Sequence, residues 1–167
     1  MTGVDIILHE EEQRRIARLA ERLVHDANAR FVALIDRNGQ PLAWAGELGD
    51  VDRTSLASLA AGNVAATEGL ARMIGERCFS SMYHEGDRGH LYLSSLSELG
   101  IVVVAFDERS SLGLVRLRVR QITPAMQEVL DEIVNRSRAA SAGLSGYESP
   151  LAEITDDDIE SLFRDGF

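Results

Sequence analysis

Four histidines, one cysteine and a surplus of carboxylates are the groups in this chain that could do chemistry. His9, His25, His84 and His90 form neither an H-x-x-x-H nor an H-E-x-x-H pair, so no two of them share a helix face at metal-ligand spacing. Cys78 stands alone and cannot form an intramolecular disulfide. With no histidine pattern beside it, it reads as a buried, inert thiol in a reducing compartment. Asp156-Asp157-Asp158 lacks the alternation and central glycine of a calcium loop. Carboxylates there suit the positive end of a helix instead. No G-x-x-x-x-G-K-[ST] loop, no G-x-G-x-x-G after a strand and no G-x-S-x-G elbow occurs. Arg53, Arg72 and Arg109 each have the chemistry of a finger donated to another protein's phosphates, against a plainer reading as surface charge. No cofactor and no metal is implied, and the chain does not read as an enzyme acting on a small molecule.

Composition narrows the choice further. The formal net charge is −10 and all seventeen basic residues are arginine, scattered along the chain. A nucleic-acid binder needs a basic face, so that class is disfavoured. The longest apolar run, Ile101 to Phe106, falls far short of the roughly 20 residues of a membrane span. The acidic N-terminus MTGVDIILHEEE has no signal-peptide character, and a cytoplasmic protein is expected.

The elements that position these groups follow from periodicity. Residues 8–27 carry Ile16, Leu19, Ala20, Leu23 and Val24 at helical spacing. FVALID (31–36) reads as a strand covered on both faces, Asn38-Gly39 as a hairpin turn, and Gln40 to Ala45 as the return strand. Asp52 is an N-cap for a helix over 53–75, with Gly75 as its C-terminal stop. Strands are expected at Arg77–Tyr83, His90–Ser95 and Ile101–Phe106. From Leu112, alternation of Val115, Leu117 and Val119 with arginines suggests a strand. A longer pattern through Ile122, Met126, Val129 and Ile133 suggests one helix, and it gives more matches. Pro124 must then kink that helix or restart it, with Thr123 as a fresh N-cap. The order α-β-β-α-β-β-β-α implies an α+β fold with a five-stranded antiparallel sheet between helices. Residues 7–138 make one domain, 139–152 a flexible linker, and 153–167 a helical tail with a T-x-x-D capping pair and the apolar stripe Ile159, Leu162 and Phe163.

The helix at 53–75 is the unusual element. It carries alanine at 57, 60, 61, 65, 66 and 71 and glycine at 62 and 69. Each interior glycine costs about 1 kcal/mol relative to alanine. With Leu56, Leu59, Leu70 and Ile74 assigned to the core, the small residues leave a second, bare face. Ala65, Gly69 and Arg72 lie along it at steps of 4 and 3, open to a partner. The alternative is close packing of this helix on its own sheet.

Four segments carry a family resemblance: TSLASLAAGNVAATEGLARMIGE, FDERSSLGLVRLRVR, the hairpin IDRNGQPL and the tail AEITDDDIESLF. Together, and in this order, they resemble the roadblock/dynein light chain family. The likeness is to its bacterial members, which regulate a Ras-like small GTPase in cell polarity and motility, and runs from about Ile7 to Phe163. It implies a homodimer, with the third strands pairing across the two-fold and the second helices packed together. Two chains would serve one GTPase. It further implies GTPase activation in trans, by rearranging the partner's own switch and catalytic residues, with a polar location in the cell. Ala65, Ala66, Gly69 and Arg72 would contact the GTPase. Ile159, Leu162 and Phe163 would anchor a tail helix that in some relatives promotes nucleotide exchange. The alternative within the family is a scaffold that binds a GTPase without stimulating hydrolysis.

Overall fold

The computed structural model describes residues 9–96 and 99–144, with side chains to residue 139. The element order is α1 (Glu10–Asp26), β1 (Phe31–Asp36), β2 (Pro41–Gly46), α2 (Arg53–Met73), β3 (Ser81–Glu85), β4 (His90–Leu96), β5 (Gly100–Phe106) and α3 (Leu112–Leu144). The strands form one antiparallel sheet in the order β2-β1-β5-β4-β3. This is the α+β, five-stranded arrangement that the sequence implies.

Strand β1 sits inside the sheet and is buried along its whole length, as its unbroken apolar run requires. Its side chains alternate between two cores. Val32 and Leu34 join Val102, Val104 and Phe106 of β5 under α1 and α3, where Ile16, Leu23, Met126, Leu130 and Ile133 fill the layer. Ala33 and Ile35 face the opposite side with Ile101 and Val103, against Ala57, Ala60, Ala61 and Val64 of α2. The two layers differ in thickness because the first is built of Leu, Ile and Phe and the second largely of alanine.

The β1–β2 turn sets the height of α2. Buried Asp36 accepts from the Asn38 and Gln40 backbone N–H groups at 2.9 and 2.7 Å, closing the turn. Gly39 has φ +83°, and a Cβ there would lie 2.9 Å from the Ser58 Cα. Only glycine combines that backbone angle with that approach. Arg37, from the same turn, pairs with Glu68 of α2 at 2.5 Å.

The caps of α2 follow the sequence. Asp52 accepts from the Thr54 and Ser55 N–H groups at 3.0 and 3.1 Å. At the other end Gly75, at φ +83°, and Glu76 donate to Arg72 and Ala71 carbonyls, a Schellman closure.

Several expectations are corrected. The third strand is Ser81–Glu85, not Arg77–Tyr83: after the Schellman closure the chain stays irregular, and ladder pairing with β4 begins only at Ser81. Cys78 lies in that connection and is exposed rather than buried. α3 passes Pro124 without restarting. The Thr123 hydroxyl donates to the Val119 carbonyl at 2.8 Å instead of capping a new helix, and Pro124 points to solvent. Residues 112–122 are therefore helix, with Val115, Val119 and Ile122 buried on one side. α3 extends to Leu144, into the segment expected to be a linker. The rest of that segment and the tail at 153–167 lie outside the described residues.

Two outcomes test this account. Gly39→Ala is expected to destabilise the fold by about 1–3 kcal/mol in urea denaturation, since it strains both φ and the turn–helix contact. The Ser55 N–H and hydroxyl, then the Thr54 N–H, hold the Asp52 carboxyl below its ordinary 3.8. A depressed carboxylate adds stability above its unfolded pKa and loses it as pH falls through the folded value. Asp52→Ala should lower Tm at pH 7 and at pH 5, and the gap to the parent protein should close below pH 3.8. A gap that persists in acid would remove the cap from this role.

Candidate functional site

Helix α2 faces the sheet with its small residues. Ala57, Ala60, Ala61, Val64 and Ala71 are buried. The assignment of Leu59, Leu70 and Ile74 to the core is overturned: they are 73%, 59% and 69% exposed, and Met73 is 83% exposed. Leu56 is half-buried. The reason is the close seat that Gly39 and the alanine layer allow. A leucine at an inward position would push the helix off the sheet, so the large apolar side chains take the outer surface.

Helical spacing then divides that outer surface into two strips. Gly62, Ala65, Gly69 and Arg72 form the first. Ala65 and Arg72 are exposed, Gly69 half-buried and Gly62 exposed. A Cβ added at Gly62 would meet nothing within 4 Å, and one at Gly69 only the Arg72 guanidinium at 3.9 Å. Packing within the protomer accounts for the inner alanines but not for these two glycines. The Arg37–Glu68 pair borders this strip at the edge toward β2. The second strip holds Leu59, Ala66, Leu70 and Met73, with Ile74 at its end. Of the residues expected to meet a GTPase, Ala65, Gly69 and Arg72 thus share one strip, and Ala66 belongs to its apolar neighbour. Ile159, Leu162 and Phe163 lie outside the described residues.

Beside the apolar strip the sheet is only partly covered, with Leu93 buried and Leu91 half-buried. α2 covers β1 and part of β5, and the α2-facing side of β4 and β3 is left as a hollow of about 240 Å³. Leu56, Leu59 and Asn63 of α2 line it with His84, Leu91 and Leu93. β3 closes this end of the sheet with an edge that pairs with no strand among the described residues. An unpaired edge next to exposed Leu and Met is a surface that proteins cover.

The arginines with finger-like chemistry divide by geometry. Arg109 clamps both oxygens of Asp107 at 2.9 and 3.1 Å, and its hydrogen bonds hold that carboxyl below its ordinary value. Arg53 lies 6.0 Å over the Trp44 ring. Arg72 projects from the small-residue strip. No group of three or more His, Cys, Asp or Glu among the described residues is placed to hold a metal ion. No helix among them is long and apolar enough to cross a membrane.

The Roadblock/LC7 domain profile matches residues 15–106, from α1 to the end of β5. The chain belongs to the roadblock/LC7 family. Among the solved members of that family that it resembles is MglB. It is 44% identical to Myxococcus xanthus MglB, over 76% of this chain and 96% of that one, with a TM-score of 0.71. It is 32% identical to the gliding protein MglB of Thermus thermophilus, over 78% and 99%, with a TM-score of 0.73. A further MglB structure, described as having a tetrameric arrangement, is 31% identical over 79% and 99%, with a TM-score of 0.74. A comparison with curated proteins gives no match.

Within this roadblock domain, the apolar strip and the hollow were missed by reading the sequence, although a signal was present. A helix holding both an alanine set and a leucine set can bury only one, and the hairpin glycine that decides which lies far away in the chain. The open space at Gly62 is directly testable. Gly62→Ala should stabilise the fold by about 0.5–1 kcal/mol by reducing unfolded-state entropy. Destabilisation, measured by urea denaturation, would mean that another element already touches that backbone.

Proposed function

We propose that the protein is a homodimeric activator of a bacterial Ras-like small GTPase of the MglA type, of the kind used in cell polarity and motility. The observation that carries this reading is α2: a helix with two uncovered strips, one of small residues and one of leucine and methionine, beside a bare sheet edge. The similarity to MglB supports it.

The two strips suit two different tasks. Leu59, Leu70 and Met73, the hollow and the β3 edge are apolar and self-complementary in the sense a two-fold needs: a strand edge pairs antiparallel with its own copy. The Gly62–Ala65–Gly69–Arg72 strip remains open on such a dimer. It lets a GTPase switch segment approach the helix backbone closely, and Arg72 offers one cation at its end. Among the described residues, no nucleophile, metal cluster or carboxylate pair stands there. The rate effect therefore comes from fixing the partner's own catalytic groups in position, which is entropy and preorganisation rather than new chemistry. Two chains then serve one GTPase. The tail, with Ile159, Leu162 and Phe163, gives a second contact that promotes nucleotide exchange.

The test is single-turnover GTP hydrolysis by an MglA-type GTPase, titrated with this protein. Acceleration saturating at two chains per GTPase is expected. Ala65→Arg and Gly69→Arg should abolish acceleration while the protein stays a folded dimer by light scattering. Leu59→Asp combined with Leu70→Asp should give folded monomers. Binding without acceleration would leave a roadblock scaffold. Unchanged acceleration by Ala65→Arg would move the GTPase off this strip.

A further inference from the structure

Beside Arg72, the cation of the small-residue strip, α2 leaves unmade an ion pair that its sequence offers. Glu68 stands one turn before Arg72, the i,i+4 spacing at which a carboxylate and a guanidinium pair on a helix surface. Glu68 turns instead to Arg37 of the β1–β2 turn, at 2.5 Å, with the two side chains 30% and 28% exposed. Arg72 enters no ion pair among the described residues. Its guanidinium lies back along the helix, with one terminal nitrogen 3.9 Å from where a Cβ of Gly69 would be. Long helical side chains lean toward the N-terminus, and the missing side chain at 69 gives this cation a place on the open strip.

The choice of Arg37 over Arg72 has a physical basis. Arg37 and Glu68 are partly withdrawn from water, so solvent weakens their attraction less than that of an exposed helical pair. The backbone that carries Arg37 is also fixed. Asp36 before it is buried and bonded to the turn, and Gly39 after it packs against the backbone of α2. With Arg37 removed, the cation at helical spacing from Glu68 is Arg72.

We propose that Arg37 is a positioning residue. By engaging Glu68 it keeps the helix's own carboxylate off Arg72 and leaves that guanidinium on the strip for an anionic group of the GTPase. Arg37 acts through Glu68 and does not itself touch the partner. The use of Arg72 rests on the reading that the Gly62–Ala65–Gly69–Arg72 strip receives a GTPase; the choice of ion pair does not.

Two variants separate this role from a merely structural one. Arg37→Ala and Glu68→Gln break the same ion pair, but only Arg37→Ala leaves a carboxylate able to turn to Arg72. In the free protein, the Arg72 Nε–Hε NMR signal, assigned by its loss in Arg72→Lys, should shift in Arg37→Ala. It should return to the parent position when Glu68→Gln is added. In the GTP hydrolysis titration, Arg37→Ala should raise the half-saturating concentration about twofold, the effect of one helical ion pair, with the rate at saturation unchanged. Glu68→Gln, alone or with Arg37→Ala, should keep the parent value. Equal weakening by the two single variants would reduce the ion pair to a structural contact. Weakening by Arg37→Ala that persists in the double variant would place Arg37 itself against the partner. Either result, or an Arg72 signal indifferent to Arg37→Ala, would overturn the inference. A parent protein that gives no acceleration would instead overturn the GTPase reading, and the Arg72 signal would then decide by itself whether Arg37 governs the pairing.

Discussion

The structure depends on how closely α2 lies on the sheet. Gly39 brings the β1–β2 turn against the backbone at Ala57 and Ser58, and the helix answers with alanine at 57, 60, 61 and 71. That contact removes the room in which a leucine could point inward. Everything unusual about the molecule's outer surface follows. Large apolar residues that a thicker layer would bury are turned out, and two glycines face open space. The hairpin keeps its position through Asp36, which is buried and accepts from two of the turn's backbone N–H groups on one carboxylate oxygen.

On this side the protomer exposes Leu59, Leu70, Met73 and Ile74 together. The hydrophobic effect acts on the strip beside the β3 edge as it acts on a core, at about 25 cal/mol per Å² removed from water. The strip next to it differs in kind, being built of small residues. Small residues permit backbone approach and add little energy of their own, so they suit a contact whose value lies in geometry. The perturbed carboxylates belong to local structure: Asp52 caps α2, Asp107 is clasped by Arg109, and Asp26 is held by His25 and Arg22.

The other layer is built on the opposite plan. Ile16, Leu23, Met126, Leu130 and Ile133 fill a thick, closed core under α1 and α3. Ion pairs join the N-terminal half of α1 to α3 one turn apart, Arg136 with buried Glu12 and Arg15 with Glu132. At the far end Ser110 donates to the Ala27 carbonyl, and Asn28 donates to that of Arg109. What remains accessible on this side is largely charged, with both signs present. The same fold thus presents an apolar face and a charged face, separated by the sheet.

Much of this was legible in the residues alone. FVALID is apolar up to its last residue and can only be an interior strand. Asn38-Gly39 specifies a tight turn, Asp52 and Gly75 mark the ends of α2, and the 3-and-4 spacing from Leu112 outweighs the alternation of Val115, Leu117 and Val119. These are local signals, each decided within a few residues of its own position. The orientation of α2 was not legible, because its alanines and its leucines are both apolar and both helical in period. Choosing between them takes a contact between residues 39 and 58, brought together only when the hairpin closes over the helix. The same holds for Cys78 and the start of β3: a thiol with no histidine pattern reads as buried and a strand from Arg77 looks plausible, but Cys78 is exposed and pairing with β4 begins only at Ser81. The sequence by itself determined the order of elements, the caps of α2 and the absence of catalytic motifs, since these depend on neighbouring residues. Tertiary structure alone decided which face of α2 is surface, because burial is set by the distance between elements that the chain keeps far apart.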